Sequence, residues 1–339
     1  MDHIDGLILW TLDQNARAPL AEVAKKVGIS KQTLSYRLKR LHKSGIIQGF
    51  IPIIDIHHLG YPTFRVYFRY RNAKKEEISA IVNYFVRHTH TLWVASMEGV
   101  WDLEVVFTAR TFIHFNNIFK KMQTALGRFY QRYNISMSPI CYQFRRDYLI
   151  GRTRGTFTPT YYGFDPKIEE FDRNDFRVLA KMTKDCRIGI KKMARSLGLA
   201  YQTVRQRIEK LESTEVIQGY RVLINLPKIE RRYYKALIVL ENLNEKIEKQ
   251  IYHFCGKKSF VMYLTEVLGD WQLEVETEVS DVRELTQLLR ELRQAFPDNV
   301  IDYDIVEMLK EEKINYFPMG ESILEEMHSV YRGESAFGG

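Results

Sequence analysis

The sequence predicts an α+β protein made of two tandem units, each a helix-turn-helix domain followed by a ferredoxin-like β-α-β-β-α-β domain. Three observations predict this class. The 339-residue chain aligns with itself at an offset of 170 residues, each half opens with short helical patterns, and each half then changes to mixed strand and helix patterns. A hydrophobic content of 45% is enough for several packed cores, which excludes a disordered protein.

The two halves align without a gap. Identical residues recur along the alignment, as in the pairs Asp2/Asp172, Asp5/Asp175, Gly28/Gly198, Gln32/Gln202, Thr33/Thr203, Arg37/Arg207, Gly99/Gly269 and Trp101/Trp271. We therefore predict helix-turn-helix domains at 1–52 and 171–222 and ferredoxin-like domains at 60–146 and 230–318. A linker rich in Gly, Thr and Pro is expected at 147–170, and a tail with one helix at 319–339.

Within the first unit, apolar residues at helical spacing predict three short helices before residue 45. From Gly49 the period changes. "TFRVYFRYR" predicts a strand, "KKEEISAIVNYFVRH" a helix, "TLWVASMEGVWDLEVVFTA" a hairpin, "TFIHFNNIFKKMQTAL" a helix and "FYQRYNISMSPICYQF" a closing strand. The second unit repeats this order. Aromatic residues on the strands, namely Phe64, Tyr67, Trp93 and Tyr263, predict that the two sheets pack against one another.

The third helix has the composition of a DNA-recognition helix. Gly28 allows the tight turn before it, Ser30 is a suitable N-cap, and Leu34, Leu38 and Leu41 face inward. The residues expected at DNA are Lys31, Gln32, Thr33, Ser35, Tyr36, Arg37, Lys39 and Arg40. Glutamine can bond the major-groove edge of adenine, while lysine and arginine serve phosphates or guanine.

The second copy predicts a similar but altered surface. Its candidate DNA-binding residues are Lys191, Lys192, Tyr201, Gln202, Thr203, Arg205, Gln206 and Arg207. Glu209 and Glu212 lie on the same helix, so loss of DNA binding by this copy is an open alternative. A second alternative concerns the shared arginines, because Arg37 and Arg207 could instead form internal salt bridges with Asp5 and Asp175.

The charge distribution favours a polyanionic partner. The chain has a formal net charge of +8, and residues 19–43 hold seven Lys/Arg and one acid, while 189–213 hold six and two. Concentration of the positive charge in two matched helical segments predicts double-stranded DNA as the partner. An ordinary solvated helix face is the alternative.

The sequence predicts neither a catalytic site nor a bound cofactor or metal. Cys141, Cys186 and Cys255 have no CxxC spacing, and no phosphate loop, nucleophile elbow or paired catalytic acids occur. The pairs His57-His58 and His88/His90 lack the acids or cysteines of a metal site. Short, charge-interrupted apolar runs and an acidic start predict a cytoplasmic protein without a membrane span or secretory signal.

These features together resemble the Lrp/AsnC family of feast/famine transcriptional regulators. The resemblance rests on the helix-turn-helix, the segment "SGIIQGFIPIIDIHHLGY" and the Gly-x-x-Asp turn of the β-α-β-β-α-β domain, and it covers nearly the whole chain twice. It implies winged helix-turn-helix domains, RAM-type effector and oligomerisation domains, and a tandem form of the kind seen in archaea. A fused pair would act as a single-chain pseudo-dimer on two half-sites, which the differing pairs Ser35/Arg205, Tyr36/Gln206 and Lys39/Glu209 predict to be unequal.

The resemblance also implies a small effector, often an amino acid, at the turn between the second and third strands, and association of chains into larger homo-oligomers. The implied effector residues are Gly99, Trp101, Asp102, Gly269, Asp270 and Trp271. In the second copy Gln272 replaces Asp102, which puts an amino-acid ligand in doubt there. The tryptophans are alternatively core residues and the glycines simple turn residues.

Two further interpretations share these features. An architectural DNA-binding protein would have the same charge pattern without sequence specificity. Siroheme decarboxylases are similar to Lrp/AsnC proteins in architecture, but here Gly99 stands where such enzymes place a histidine, and Trp101-Asp102 replaces their aromatic-Asn pair.

Overall fold

The computed structural model describes residues 1–155, 158–163 and 170–318. Its helices are α1 (His3–Gln14), α2 (Leu20–Val27), α3 (Lys31–Lys43), α4 (Lys75–Arg87), α5 (Phe112–Leu126), α6 (Arg173–Met182), α7 (Ile190–Leu197), α8 (Tyr201–Ser213), α9 (Glu245–Gly256) and α10 (Val282–Ala295). Its strands are β1 (Ile47–Ile54), β2 (Thr63–Tyr70), β3 (Thr91–Glu98), β4 (Leu103–Thr108), β5 (Tyr130–Met137), β6 (Ile140–Gln143), β7 (Thr160–Gly163), β8 (Ile217–Ile224), β9 (Arg232–Leu240), β10 (Val261–Glu266), β11 (Leu273–Val279) and β12 (Val300–Ile314).

Each half begins with three helices followed by one strand. In the first half, Asp2 caps α1 and Ser30 caps α3, because each side chain accepts a backbone N–H of the first turn. Gly28 ends α2 in the left-handed conformation with φ of 77°, which a residue without a Cβ adopts at low cost. Gly198 repeats this at the end of α7 with φ of 66°. The predicted helix-turn-helix is therefore present in both halves.

The strands that follow the two helix-turn-helix units pair with each other. β1 and β8 form an antiparallel two-stranded sheet in which Phe50 lies opposite Val222 and Pro52 opposite Tyr220. This pairing joins the N-terminal units of both halves inside one chain. The end of β1 then packs among α6, α7 and α8, since Ile54 belongs to the same buried cluster as Phe176 and Val204.

Both predicted ferredoxin-like domains are present with the expected topology. The first has the strand order β5-β2-β4-β3, with α4 and α5 on one face, and the second has β12-β9-β11-β10, with α9 and α10 on one face. β12 continues from its own domain to pair with β3, which joins the two sheets edge to edge. β6 and β7 extend the far side, so one sheet contains ten strands.

The faces without helices lie against each other. The Tyr67 hydroxyl on β2 donates to Glu274 on β11 at 2.5 Å, and the Lys235 ammonium on β9 lies 2.6 Å from Glu104 on β4. The prediction that the sheets pack together is confirmed for Tyr67, Trp93 and Tyr263. It is wrong for Phe64, whose ring stacks on Phe115 beneath the helices at 4.1 Å, because neighbouring strand residues point to opposite faces.

The segment predicted as a linker contributes to the sheet. β7 pairs with β6, and the backbone N–H of Gly163 donates to the buried Asp55 carboxylate at 3.0 Å. The tail helix expected at 319–339 lies outside the described residues.

A buried ion network fixes the end of α1 to the sheets. The Asp13 carboxylate lies 2.6 Å from Arg146 and 2.7 Å from Arg221 of β8, and its side chain is fully buried. These two guanidinium groups outweigh the desolvation of the carboxylate and hold its pKa below the ordinary range. Thr183 occupies the equivalent position at the end of α6, so the two halves attach their helical units differently.

We predict that Gly6→Ala destabilises the protein although alanine favours helices. A Cβ at Gly6 in α1 would lie 2.5 Å from the Leu149 carbonyl oxygen, so the helix would have to move away from that segment. We expect a loss of about 1–3 kcal/mol in the free energy of unfolding, measured by urea denaturation. Gly127→Ala is the control, because Gly127 has φ of −57° and a Cβ added there would meet nothing within 4 Å, and this variant should be neutral or slightly stabilising. Equal effects of both substitutions would contradict the close approach.

Candidate nucleic-acid interface and central cavity

The recognition helix α3 presents a polar face away from the core. Leu34 and Leu41 are buried, whereas Tyr36 is 67% exposed on the opposite side. The other exposed candidates on this helix are Lys31, Gln32, Thr33, Lys39 and Arg40, and Ser35 is half-buried. An exposed aromatic ring flanked by glutamine and lysine, with no protein covering it, is suited to contact base edges and phosphates.

Arg37 of α3 makes contacts within the protein. Its guanidinium lies 2.6 Å from Asp2 and 2.9 Å from Asp5, and Arg40 lies 2.5 Å from Asp5. The Arg37 guanidinium lowers the pKa of Asp2 to about 2. Arg37 therefore forms the internal salt bridge that was the alternative to DNA binding, and this salt bridge holds α3 against the start of α1. Arg40 remains 47% exposed and keeps a solvent-facing surface.

The second recognition helix, α8, repeats this arrangement with different exposed residues. Its exposed candidates are Tyr201, Gln202, Arg205 and Gln206, and α7 adds the exposed Lys191 and Lys192, while Thr203 is half-buried. Arg205 forms a surface ion pair with Glu209 at 2.8 Å. Arg207 lies 3.1 Å from the buried Asp175, as its counterpart Arg37 lies beside Asp5.

Asp175→Ala should destabilise the second helical unit by about 2–3 kcal/mol, since a buried carboxylate there accepts charge-assisted hydrogen bonds from Arg207 and Lys210. It also accepts the backbone N–H of Asp172 in a capping box. Urea unfolding followed by circular dichroism measures the effect. Glu209→Ala removes an exposed ion pair instead and should change stability by less than about 0.5 kcal/mol. Similar shifts for the two variants would contradict the locking role of Asp175.

The turn implied as an effector site is engaged in internal contacts in the first copy. The Asp102 carboxylate lies 2.8 Å from Arg69 and accepts the backbone N–H of Tyr70 at 2.7 Å. Trp101 is buried, and Arg132 stacks on its ring. Gly99 has φ of 137°, and a Cβ there would lie 2.9 Å from the Ile305 carbonyl oxygen. These contacts give the turn a structural role, and effector binding at it stays a prediction.

The second copy builds the same turn with different chemistry. Gln272 accepts the backbone N–H of Leu240 at 2.9 Å, which is the role of Asp102 toward Tyr70 in the first copy. The Asp270 carboxylate accepts a hydrogen bond from Asn134, and the Trp271 indole donates to Glu274 at 3.0 Å. A Cβ on Gly269 would lie 3.0 Å from Ser136.

A buried ionic cluster between the sheets was not predicted from the sequence. Lys235, which is fully buried, lies 2.6 Å from Glu104, 3.0 Å from Glu274 and 3.1 Å from Glu276, and Arg65 lies 2.7 Å from Glu104. The neighbouring cations lower the pKa of Glu274 to about 2, while burial raises the pKa of Glu104, and the three carboxylates raise the pKa of Lys235. One feature of the sequence could have indicated the cluster. Charged residues occupy equivalent positions in apolar strands of both halves, namely Arg65/Lys235 and Glu104/Glu274.

Beside this cluster lies a cavity of about 120 Å³. Its polar lining residues are Asp55, His57, Thr63, Arg65, Ser138, Cys141, Tyr162, Tyr233, Tyr263, Glu276, Glu311 and Tyr316, and its apolar lining residues are Ile54, Ile56, Leu92, Trp93, Val106 and Ile314. None of the six turn residues lines it. The cavity combines residues of both halves, including the equivalent pairs Trp93/Tyr263, Thr63/Tyr233 and Cys141/Glu311. It therefore lies on the axis that relates the two halves.

The histidines considered above as metal ligands have other contacts. His57 lies 2.7 Å from Asp55, and the rings of His90 and His114 are 4.7 Å apart. Burial lowers the pKa of His88 to about 4. Within residues 1–155, 158–163 and 170–318, no group of three or more His, Cys, Asp or Glu side chains is arranged to hold a metal ion. The same part of the chain has no helix long and apolar enough to cross a membrane.

Comparison with known proteins places the two helical units in one family model. The model for winged helix-turn-helix DNA-binding matches residues 1–48 and again 171–218. A transcriptional regulator of helix-turn-helix type from Pyrococcus furiosus is 28% identical over 124 residues, which is 36% of this chain and 80% of that relative. The regulator FL11 of Pyrococcus horikoshii is 28% identical over 117 residues, 34% of this chain and 76% of FL11. Regulatory protein AsnC of Haemophilus influenzae is 44% identical over 61 residues, 18% of this chain and 41% of AsnC.

A solved two-domain structure matches nearly the whole length of the chain. The siroheme decarboxylase NirDL has a TM-score of 0.63 and 13% identity, and the match covers 98% of this chain and 100% of that protein. At this identity the likeness concerns the fold alone.

The fold and the two matched segments define a single chain that carries two winged helix-turn-helix DNA-binding domains on a fused pair of ferredoxin-like domains. In sequence the chain is similar to AsnC and to the Pyrococcus regulators, and the regions it shares with the latter cover 80% and 76% of their length.

Proposed function

We propose that this protein is a sequence-specific, double-stranded-DNA-binding transcriptional regulator that acts in the cytoplasm as a single-chain pseudo-dimer. The observation that carries the proposal is the pairing of β1 with β8, which links two helix-turn-helix units whose recognition helices both expose polar faces. A pair of such helices reads two half-sites about one helical turn, or a multiple of it, apart. Because both recognition helices are on one chain, their DNA-contacting residues can differ in sequence.

The second recognition helix is proposed to read its own half-site. Gln202 is shared with the first copy as Gln32, and Arg205, although paired with Glu209, is 55% exposed. Surface ion pairs of this kind are weak and can be exchanged for a phosphate or guanine contact. Lys191 and Lys192 on α7 supply further positive charge for the DNA backbone.

The proposal is tested by selecting genomic DNA fragments with the purified full chain at several salt concentrations. We expect enrichment of one motif with two halves spaced by about one or two helical turns, retained as salt is raised. Uniform binding that disappears steeply with salt would instead support an architectural protein. Absence of DNA binding would contradict both.

We further propose that the protein is not a siroheme decarboxylase, although it shares that fold. A structure of the decarboxylase NirDL contains an iron-uroporphyrin III analogue, a large molecule that carries several carboxylates. The central cavity measures about 120 Å³ and its lining includes Asp55, Glu276 and Glu311, so the size and charge of this cavity do not suit such a ligand. Titration with iron-uroporphyrin, followed by its visible absorption, should show no specific binding, and saturable one-to-one binding would contradict this proposal.

Homo-oligomers of the pseudo-dimeric chain and a small effector, such as an amino acid at the Gly99–Asp102 turn, complete the proposed regulator. Sedimentation velocity of the full chain with and without amino acids tests both. A purely monomeric chain that no amino acid affects would contradict them.

A further inference from the structure

We propose that the central cavity binds one small organic cation, a primary amine seated against the Glu311 carboxylate and the surrounding aromatic rings. The binding claim depends only on the cavity. Its regulatory consequence, described below, rests on the proposed function.

Glu311 is the group in the cavity without a charged partner. Its carboxylate accepts one hydrogen bond, from the Trp93 indole at 2.9 Å. Among the residues that the structure describes, no lysine, arginine or histidine lies within 4.0 Å of it. Its side chain is exposed and lines the cavity, so a small molecule can reach the carboxylate. A carboxylate with no cation of the protein beside it is stabilised by an ammonium group placed there.

The other charges of the lining leave the cavity acidic. Arg65 is satisfied by Glu104 at 2.7 Å and by Ser138 at 2.7 Å. Glu276 accepts a hydrogen bond from Tyr233 and lies 3.1 Å from Lys235, which it shares with two further glutamates. Desolvation by the surrounding residues raises the pKa of Glu311 to about 7, Glu278 and Glu276 add to this rise, and the Trp93 hydrogen bond and the Arg146 guanidinium oppose it. An anionic ligand would meet these carboxyl groups with repulsion, and an ammonium group would be attracted.

The walls supply the second element of a cation site. Five aromatic side chains line the cavity, namely Trp93, Tyr162, Tyr233, Tyr263 and Tyr316. Tyr162 and Tyr316 stack on each other with ring centroids 5.7 Å apart. Aromatic faces attract ammonium groups, most strongly where water is excluded, and they also accommodate the apolar body of an amine. Carboxyl groups and ring faces together therefore select an organic cation over a neutral or anionic molecule.

Sequence differences between the two halves at the cavity support a ligand-binding site. A gap left by the duplication alone would not need them. The second half provides Glu276 and Glu311, where the first half has Val106 and Cys141 at the equivalent positions. All four residues line the same cavity on the axis between the halves. Glu276 and Glu311 thus both come from the second half, so the cavity is asymmetric and should hold one ligand per chain.

The cavity wall connects to both DNA-binding units. Ile54 ends β1, the strand that leaves the first unit, and Ile56 follows shortly after it. Both line the cavity and belong to the buried cluster of the second unit. Tyr316 precedes Phe317, whose ring stacks on Phe176 of α6. A ligand that orders these residues would change the relative placement of the two recognition helices, and hence DNA affinity.

Isothermal titration calorimetry on the full chain tests the site with three probes of similar shape, benzylamine, benzyl alcohol and benzoate. We expect one-to-one binding of benzylamine and none, or far weaker binding, of the other two. Glu311→Gln keeps an acceptor for Trp93 but loses the charge, and should weaken benzylamine binding about tenfold or more. Tyr316→Leu, which removes one ring, should also weaken it.

Glu312→Gln is the matched control, because Glu312 is the next residue on β12, bonds Ser96 and Lys310, and does not line the cavity. It should bind benzylamine as the parent protein does, and circular dichroism should show that all variants are folded. The proposal is overturned if benzylamine gives no saturable binding, if benzoate or benzyl alcohol binds equally well, or if Glu311→Gln has no effect.

DNA binding measured with and without benzylamine separates this site from the proposed function. A changed DNA affinity that is lost in Glu311→Gln supports regulation through the cavity. Unchanged DNA affinity with benzylamine bound refutes the regulatory part while the cation site stands. If the chain binds no DNA, the proposed function fails, and calorimetry still decides the cation site.

Discussion

Replacing Lys235 with methionine is expected to lower the free energy of unfolding by about 3–5 kcal/mol, because it leaves buried carboxylates without their cation. Lys235 lies within 3.1 Å of Glu104, Glu274 and Glu276, and its side chain and those of Glu104 and Glu274 are fully buried. Arg65 alone would then face three acids. Urea unfolding at pH 8 measures the loss.

The same variant should have a characteristic pH dependence. Without Lys235 the carboxyl groups near it should have pKa values raised above those of the unfolded chain, so the folded state binds protons more tightly. Stability then falls as the pH rises through the raised pKa values, and the defect of Lys235→Met should be smaller at pH 5 than at pH 8. Lys249→Met, which removes an exposed ion pair with Glu245, is the control and should cost less than about 1 kcal/mol at either pH. A small, pH-independent loss for Lys235→Met would contradict the account of the cluster.

Alanine substitutions at Gln32 and Tyr36 should each weaken binding to the selected operator by about 1–3 kcal/mol, with little change in folding. Both side chains are exposed on α3 and point away from Leu34 and Leu41, so their loss removes no packing. Fluorescence anisotropy with labelled operator DNA measures the affinities. Gln250→Ala, on the exposed surface of α9 in a ferredoxin-like domain, is the control and should leave affinity unchanged.

The corresponding substitutions in the second copy should act on the other half-site. Gln202→Ala and Arg205→Ala should weaken binding to the operator, and footprinting should show lost protection of one half only. If both α8 variants bind like the parent while the α3 variants do not, the second unit does not read DNA and the pseudo-dimer proposal fails.

Repetition and periodicity made much of the fold predictable from the sequence. Helical spacing located α1 to α3, and Gly28, with φ of 77°, ends α2 where the turn was expected. The pairing of strands between domains could not be predicted from the sequence, because the partner of an edge strand depends on how the domains pack in three dimensions. The closing strand of the first domain was predicted as one element but divides at Pro139 into β5 and β6, and β6 pairs with β10 of the second domain.

Of the candidate sites, the DNA-contacting surface could be predicted from the sequence and the cavity could not. Exposure of Gln32, Tyr36, Gln202 and Arg205 follows from helix periodicity alone. The cavity does not, because its lining comes from segments more than 200 residues apart, such as Trp93 and Glu311. The ion-pair partners of isolated charges on apolar strands cannot be predicted until it is known how the two sheets face each other.

If the two recognition helices of this chain bind different DNA sequences, three versions of the selected operator should differ in affinity. One version keeps the natural pair of half-sites, and the others carry either half twice in inverted repeat. We expect the natural operator to bind most tightly, because each base pair that does not match its recognition helix costs about 1–3 kcal/mol. A symmetrised operator that binds as tightly as the natural one would contradict it.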